Sequence, residues 1–413
     1  MMDKISYSMT KLPQGWEVKK LGDIAEISSG GTPSRNKKEY WENGTIPWVK
    51  IKDIKEKFIS TTEEFITEDG LKNSSAKLFK KGTLLYSIFA TLGEVAILDI
   101  DATTNQAIAG INIKENNINS LYLMYFLRSI KDEICSKGRG AAQNNLNLTI
   151  LKQIKIPLPP LQEQERIVGI LDESFAKIDE SIKILEQDLL NLDELMQSTL
   201  QKAFDPLKDN AKENYKLPQG WEWKSLGEIG EIITGTTPSK NNPNFYGNEY
   251  PLFKPSDLNG DMIIKFASDN LSKLGFDNAR NLPKDTILVV CIGASIGKVG
   301  LSGVNGSCNQ QINAIIPNSA FVSKYLFFVC LSNYFQEILK KNASQTTLPI
   351  INKTEFSKLQ IPMPSLKEQE QIASYLDELS SNVKNLKQNY QMQIKNLQEL
   401  KKSLLDKAFQ GRL

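Results

Sequence analysis

The chain has no histidine in its 413 residues. That excludes histidine-dependent triads and histidine metal ligands, and leaves carboxylate or cysteine chemistry open. The four cysteines, Cys135, Cys291, Cys308 and Cys330, form no CxxC pair. Neither a zinc ribbon nor a dithiol redox motif is written here, no metal site is expected, and reduced thiols in a cytoplasmic protein are the natural reading. Long apolar runs are also missing. The longest, around residues 286–297, is broken by glycines and falls short of the ~20 residues that span a bilayer. The opening MMDKISYSMT lacks the apolar core of a signal peptide.

Two catalytic signatures are absent as well. Asn241-Asn242-Pro243-Asn244-Phe245-Tyr246 resembles the Asn-Pro-Pro-Tyr/Phe loop of DNA amino-methyltransferases but lacks the second proline, and reads as a turn. Gly293-Ala-Ser-Ile-Gly297-Lys298-Val299 resembles a phosphate loop. It has three residues between its glycines rather than four, and Val follows the Lys where a magnesium-binding Ser or Thr should stand. Its counterpart, Ala90–Val95, has Glu94 in place of the Lys. A tight turn after a buried strand or an exposed ligand-facing loop are the alternatives there.

What the chain does have is one stretch written twice. KLPQGWEVKKLGDIAEI begins at Lys11 and KLPQGWEWKSLGEIGEI at Lys216, 205 residues later; IPLPPLQEQERI at Ile156 and IPMPSLKEQEQI at Ile361 keep that offset, as do Lys202-Ala203-Phe204 and Lys407-Ala408-Phe409. Two homologous modules therefore fill the chain. Each holds about 120 residues rich in Gly/Asn/Thr turns and short apolar runs such as 83–89, 95–100 and 286–292, which read as strands. Proline clusters then stop the mixed region and start a long helix.

The helices carry narrow apolar seams. In the first, Val168, Leu171, Phe175, Ile178, Ile182, Leu185, Leu189, Leu192 and Met196 alternate at spacings of three and four; in the second, Leu376, Leu379, Val383, Leu386, Tyr390, Leu397, Leu400 and Leu404 do the same. About 45 residues at ~1.5 Å each make a rod of roughly 65 Å, whose seam needs a partner. The other copy is the simplest one. The expected division is a leader at 1–10, a first globular domain at 11–155, a central long helix at 156–205, a linker at 206–215, a second globular domain at 216–360 and a C-terminal long helix at 361–413. The fold class is α+β, two homologous globular domains of mixed α/β structure each followed by a long helix.

These motifs give the chain a family likeness. The repeated LPxGWE opening, the GxTPS turn (Gly30–Ser34 and Gly235–Ser239), the IPxPxLxEQExI helix start and the terminal Lys407–Leu413 resemble the specificity (S) subunit of type I restriction–modification systems, over essentially the whole chain. The resemblance implies two target-recognition domains, each reading one half of a bipartite DNA site, and two helices paired as an antiparallel coiled coil that sets the spacer. It implies modification (methyltransferase) subunits as partners, with S-adenosylmethionine on them and no cofactor in this chain. A restriction (translocase/nuclease) subunit is a further implied partner. It implies no bond chemistry by the chain itself. A self-contained DNA methyltransferase or nuclease, or a non-DNA coiled-coil scaffold, are the alternatives.

Charge fits double-stranded DNA as a partner. The net charge is only +2, but residues 161–204 carry ten acidic and four basic side chains and residues 366–411 six and seven, so the remainder holds an excess of +7. That is the direction expected for phosphate contacts, and also that of a Lys-rich surface. Lys50 and Lys52, after Trp48, and their near equivalents Lys254 and Ser256 suit phosphate contact or a strand edge. Arg139, Gln143, Asn144 and Asn145 form the preferred base-reading loop, since Arg pairs with guanine and Gln or Asn with adenine. Its counterpart carries Lys340, Lys341, Gln345 and Thr347. Polar loops leading into a strand are the plainer alternative. Trp16 and Trp221 read as packing anchors, and the recurring Asn105-Gln106 and Asn309-Gln310 read equally as structural. The acidic residues Asp172, Glu173, Asp179, Glu180, Glu186, Asp193 and Glu194 form a candidate dock for modification subunits or simply a solvated helix face.

Overall fold

The computed structural model describes residues 12–138, 146–204, 217–344 and 348–413. The chain divides into two compact units, residues 1–184 with 392–413, and residues 185–391. Each holds one mixed domain and part of both long helices.

The first domain is built from three small sheets. A five-stranded sheet runs in the order Ala25–Ser29, Ile108–Ile113, Leu84–Ser87, Val95–Leu98, Phe58–Ile59. A three-stranded sheet orders Glu64–Ile66, Ile46–Val49, Thr103–Thr104, and Glu17–Lys20 pairs antiparallel with Lys155–Leu158. The strands at Leu84–Ser87 and Val95–Leu98 are buried at every position, as continuous apolar runs covered on both faces should be. One face packs on the helix Ser120–Ser129, whose Asn119 caps two backbone N–H groups. The second domain repeats this topology strand for strand, with Ile232–Thr234, Ile312–Ile315, Ile287–Val290, Val299–Ser302 and Ile263–Ile264 in the same order.

The twice-written motifs explain themselves as fasteners. In each unit a buried tyrosine hydroxyl donates to a proline carbonyl of the strand before the long helix: Tyr122 to Pro157 at 2.6 Å and Tyr325 to Pro362 at 2.7 Å. The Gln of the EQE run is buried and bridges helix start to domain. Gln164 donates to the Pro159 and Asn117 carbonyls and accepts from Asn119 N–H. Gln369 donates to Pro364 and accepts from Val322 N–H. Trp16 packs against the first core.

The terminal Lys-Ala-Phe motif closes the opposite domain. Phe409, from the second repeat, lies edge-on to Tyr122 (5.2 Å) and Phe126 (5.3 Å) in the first unit's core. Phe204, from the first repeat, lies edge-on to Tyr325 (5.5 Å) in the second unit's core. Each unit thus holds two helix segments of opposite direction. In the first unit Lys401 pairs with Asp179 at 2.7 Å, and in the second Lys387 pairs with Asp193. Within the first unit Arg166 reaches the Leu413 carbonyl while Asp179 reaches Lys401, so the two segments there run antiparallel.

Two expectations shift at the residue level. The long helices are Leu161–Phe204 and Leu366–Phe409. Residues 156–158, grouped with the helix by sequence, are instead strand, as are 361–363. Proline is tolerated there because each pairing is a two-stranded edge. In the second helix Leu386 and Leu400 are 40% and 46% exposed. Lys387 and Lys401 occupy the seam positions beside them, their side chains only 28% exposed and their ammoniums on Asp193 and Asp179. Ile394 extends the same row.

Truncating either swapped phenylalanine should loosen one unit. Phe409→Ala is expected to cost about 3–5 kcal/mol and to raise hydrogen exchange in Ser120–Ser129 while sparing Ser323–Leu331. Phe204→Ala should do the reverse. Equal loosening of both helices by either variant would refute the one-clasp-per-unit reading.

Candidate nucleic-acid interface

Register places the loops of each domain at one end of its five-stranded sheet. In the first domain Ala25 faces Ile113, and Ser29 faces Ala109. The Ala25 end adjoins the helix platform. The Ser29 end opens into the GxTPS turn, where Gly30 N–H bonds Ile108 and Gly31 N–H bonds Thr104. Ser87 faces Ile108, so the turn after it shares that end, and Leu146 N–H bonds Ile88 at 3.0 Å. The second domain matches: Gly235 N–H bonds Ile312, Cys291 N–H bonds Gln311, and Gly293 N–H bonds Pro349. A Cβ at Gly30 would collide with Thr104, and one at Gly235 with the Cys308 carbonyl. Only glycine permits that approach.

Paired side chains pin this end in both copies. Thr32 donates to Gln106, and Thr237 to Gln310 at 2.8 Å. Asn105 and Asn309 each accept a backbone N–H two residues on, at 3.1 Å. The recurring Asn-Gln pair is a brace for the GxTPS turn.

The structure brings Lys50 and Lys254 to this end, beside Asn105 and Asn309, whose N–H groups bond Val49 and Phe253. Neither lysine is bare. Lys50 Nζ meets Glu64, Lys254 Nζ meets Asp269, and their backbone N–H groups donate to Asp53 (2.7 Å) and Asp257 (2.8 Å). Burial opposes ionisation of Glu64, but the Lys50 and Arg35 partners outweigh it and hold its carboxyl below the ordinary range. The Lys254 bond depresses Asp269 likewise. A phosphate reaching either lysine competes with that carboxylate. Lys52 pairs with Glu63, and Ser256 is exposed. Lys340 and Lys341 are exposed at the C-terminus of the helix Asn333–Lys341, where its dipole favours cations. Ser344 just beyond bonds Ile350 N–H and carbonyl, on the way to Gly293. Arg139, Gln143, Asn144, Asn145, Gln345 and Thr347 lie outside the described residues.

Sequence reading passed over two arginines at the same end. Arg35 follows the first GxTPS turn. Its guanidinium carbon lies 3.6 Å from the Trp41 ring centroid and 4.7 Å from that of Trp48, and its Nη2 is 2.6 Å from Glu64. The two indoles donate to Ser34 and Gly31 carbonyls, both at 3.1 Å. In the second domain Lys240, Tyr246, Leu252 and Asp269 hold the places of Arg35, Trp41, Trp48 and Glu64. There Arg280 comes to the turn from another segment, its Nη1 2.6 Å from the Thr234 carbonyl and its N–H on Thr236. The scarcity of arginine in the sequence was the available signal.

The acidic helix residues recur at seven-residue spacing on one side of the helix Leu161–Phe204, but several are already engaged. Asp172 meets Lys57 (2.6 Å) and the Tyr125 hydroxyl, Asp179 meets Lys401 and Asp193 meets Lys387, all inside their units. Glu173 pairs with Lys177 on its own helix. Glu180, Glu186 and Glu194 are exposed.

The decoys resolve as structure. Residues 293–297 turn the hairpin between Ile287–Val290 and Val299–Ser302, with φ of +94° at Gly293 and +93° at Gly297. Asn242 caps the short 3-10 turn Pro243–Phe245. Burial pushes the Cys291 and Cys308 thiols up to about 12, and Cys330 upward as well, so these three are not thiolate nucleophiles. No helix among the described residues is long and apolar enough to cross a membrane.

The family model described as Type I restriction modification DNA specificity domain matches residues 13–189 and again 218–396. The MjaIX specificity subunit of Methanocaldococcus jannaschii, a type I restriction enzyme component, is 28% identical over 98% of this chain and 94% of its own length. The HindI specificity subunit of Haemophilus influenzae is 34% identical over 48% of this chain and 42% of its own. A structure described as showing complex assembly and conformational transition of the type I R-M system aligns with a TM-score of 0.79 at 24% identity, over 98% of this chain and all of that one. The HsdS subunit from Thermoanaerobacter tengcongensis aligns at 0.61 and 23%, with both chains fully covered. These likenesses carry the fold, the two family matches fall on the two domains, and the chain belongs to the type I restriction modification DNA specificity domain family.

Proposed function

We propose that this chain is the DNA-recognition subunit of a type I restriction–modification complex, and that it reads a bipartite double-stranded site with one half assigned to each domain. The observation that carries this is the repeated frame with unlike contents. Both loop ends are braced by the same Thr–Gln bond, yet the side chains they present differ. The chain itself breaks and makes no bond. Modification subunits, which would hold S-adenosylmethionine and supply the methyl group, dock on it in the cytoplasm.

Because the brace belongs to each domain alone, the halves should be exchangeable. Replacing residues 11–155 with the corresponding part of a relative, in the complex with modification subunits, should change one half of the methylated site and leave the other. Methylation-aware sequencing reads the result. A change in both halves would sink the two-reader assignment, and methylation by the purified chain alone would sink the recognition-only role.

The antiparallel helices supply the ruler. One heptad inserted after Asp193, with another before Lys387, keeps the seam and lengthens the rod by roughly 10 Å at ~1.5 Å per residue. At ~3.4 Å per base pair the unread spacer should grow by about three base pairs, with the bases read unchanged. An active variant that kept its original spacer would show that distance is set elsewhere.

Glu180, Glu186 and Glu194 remain as the exposed acidic dock. Reversing all three to lysine should weaken assembly with modification subunits in size-exclusion chromatography. Unaltered assembly would remove these residues from the interface.

A further inference from the structure

Reading a guanine edge bidentately takes a planar fork, which arginine has and lysine lacks. This chain has 50 cationic side chains, but only six are arginine: Arg35, Arg128, Arg139, Arg166, Arg280 and Arg412. Three of the six belong to the scaffold. Arg128 reaches inward to the Glu56 and Val95 carbonyls, Arg166 forks onto Glu163 within its helix, and Arg412 lies in the tail after the second helix, its N–H on Lys407. Arg139 is outside the described residues. The remaining two, Arg35 and Arg280, both stand at a loop end, one per domain, each touching the strand exit or turn that the repeated GxTPS motif builds.

We propose that Arg35 and Arg280 are specificity-determining residues, each presenting its guanidinium to a guanine in the half-site of its own domain; this rests on the DNA-recognition reading above. Arg35 is the better organised. Trp41 supports one face of the guanidinium and Glu64 takes one edge, while half of the side chain stays exposed (50%). A guanidinium held against an indole and by one carboxylate contact, with half of its side chain exposed, loses little freedom on docking. Glu64 is a positioning residue, shared between Arg35 and Lys50. Arg280 is fixed by the Thr234 carbonyl through one nitrogen and is otherwise exposed.

The two forks are not equivalent by position. Arg35 corresponds to Lys240, and no arginine lies in the first domain between Ile66 and Leu84, the stretch matching that of Arg280. The shared frame therefore offers its fork from different points in the two copies. Two half-sites of unlike sequence follow from that without any change in the fold.

The test uses the complex of this chain with its modification subunits and maps methylated positions by sequencing, alongside DNA binding over a salt series. Arg35→Ala should relax discrimination at one position of one half-site by roughly ten- to hundredfold and leave the other half intact. Arg280→Ala should do the same in the other half only. Arg35→Lys keeps the charge but not the fork, and should resemble Arg35→Ala. Glu64→Gln should give a smaller relaxation at the Arg35 position. If Arg35→Lys behaves as wild type, or both alanine variants keep every base preference while binding weakens uniformly, the arginines are phosphate contacts and the inference fails. Unchanged thermal melting of each variant separates these outcomes from misfolding. Wild-type complex that methylates no bipartite site, or binds DNA without salt dependence, would overturn the recognition reading itself.

Discussion

The structure depends on a swapped aromatic clasp. Phe204 and Phe409 end the two long helices, and each completes the core of the domain belonging to the other repeat, against Tyr325 and Tyr122. The same tyrosines bond the prolines of the strand from which the local helix departs. One residue in each core therefore touches both the strand that leads into the departing helix and the end of the arriving one. A helix of 44 residues with a narrow apolar seam draws most of its stability from packing that seam. Within each unit the clasp anchors one helix end in a core, and one lysine–carboxylate pair, Lys401–Asp179 or Lys387–Asp193, ties it to the other helix segment.

This arrangement separates what must stay the same from what can vary. The residues written twice are those facing the helix platform or bracing the turn: the Gln164 and Gln369 bridges, the Thr–Gln ties, the glycines at 30 and 235. Each has a geometric duty that a different residue would break. The side chains at the loop end have no such duty toward the core. Arg35, Trp41 and Trp48 in one copy and Lys240, Tyr246 and Leu252 in the other sit on equivalent backbone, because their neighbours only need the strand pairing. A recognition surface can drift there at small cost to stability.

Much of this was legible in the sequence, for a physical reason. Repetition at a fixed offset exposes constrained residues, so the modules and the long helices could be read, while the recurring Asn-Gln pair was visible without its bracing role. The failures share a cause too. Apolarity assigned the second helix's seam to Leu386 and Leu400, whereas the structure places the mostly covered Lys387 and Lys401 there, since a lysine can cover a seam and still reach a carboxylate. Pro157 and Pro362 read as breakers, and they are strand residues on an edge where no N–H is needed. The acidic helix residues read as a face, yet Asp172, Asp179 and Asp193 each meet a lysine that is distant in the sequence. The seven-residue spacing of these carboxylates is visible in the sequence, but the lysine each one meets is not.

The same long-range pairing changes how the positive excess should act. Lys50, Lys52 and Lys254, and Arg35 with them, each hold a carboxylate at rest. Bare cations attract any phosphate backbone, and that attraction is blind to sequence. A cation already partnered gives up an ion pair to bind DNA, so a poorly fitting duplex returns less than it displaces. A fitting one restores the lost contact, and where the carboxylate stays in place, as Glu64 can beside a docked Arg35, the orientation is kept as well. Discrimination is a difference between two affinities, and lowering the sequence-blind one widens it as surely as raising the specific one. Neutralised cations at the loop ends are thus consistent with a chain whose task is to choose among sites rather than to hold DNA tightly.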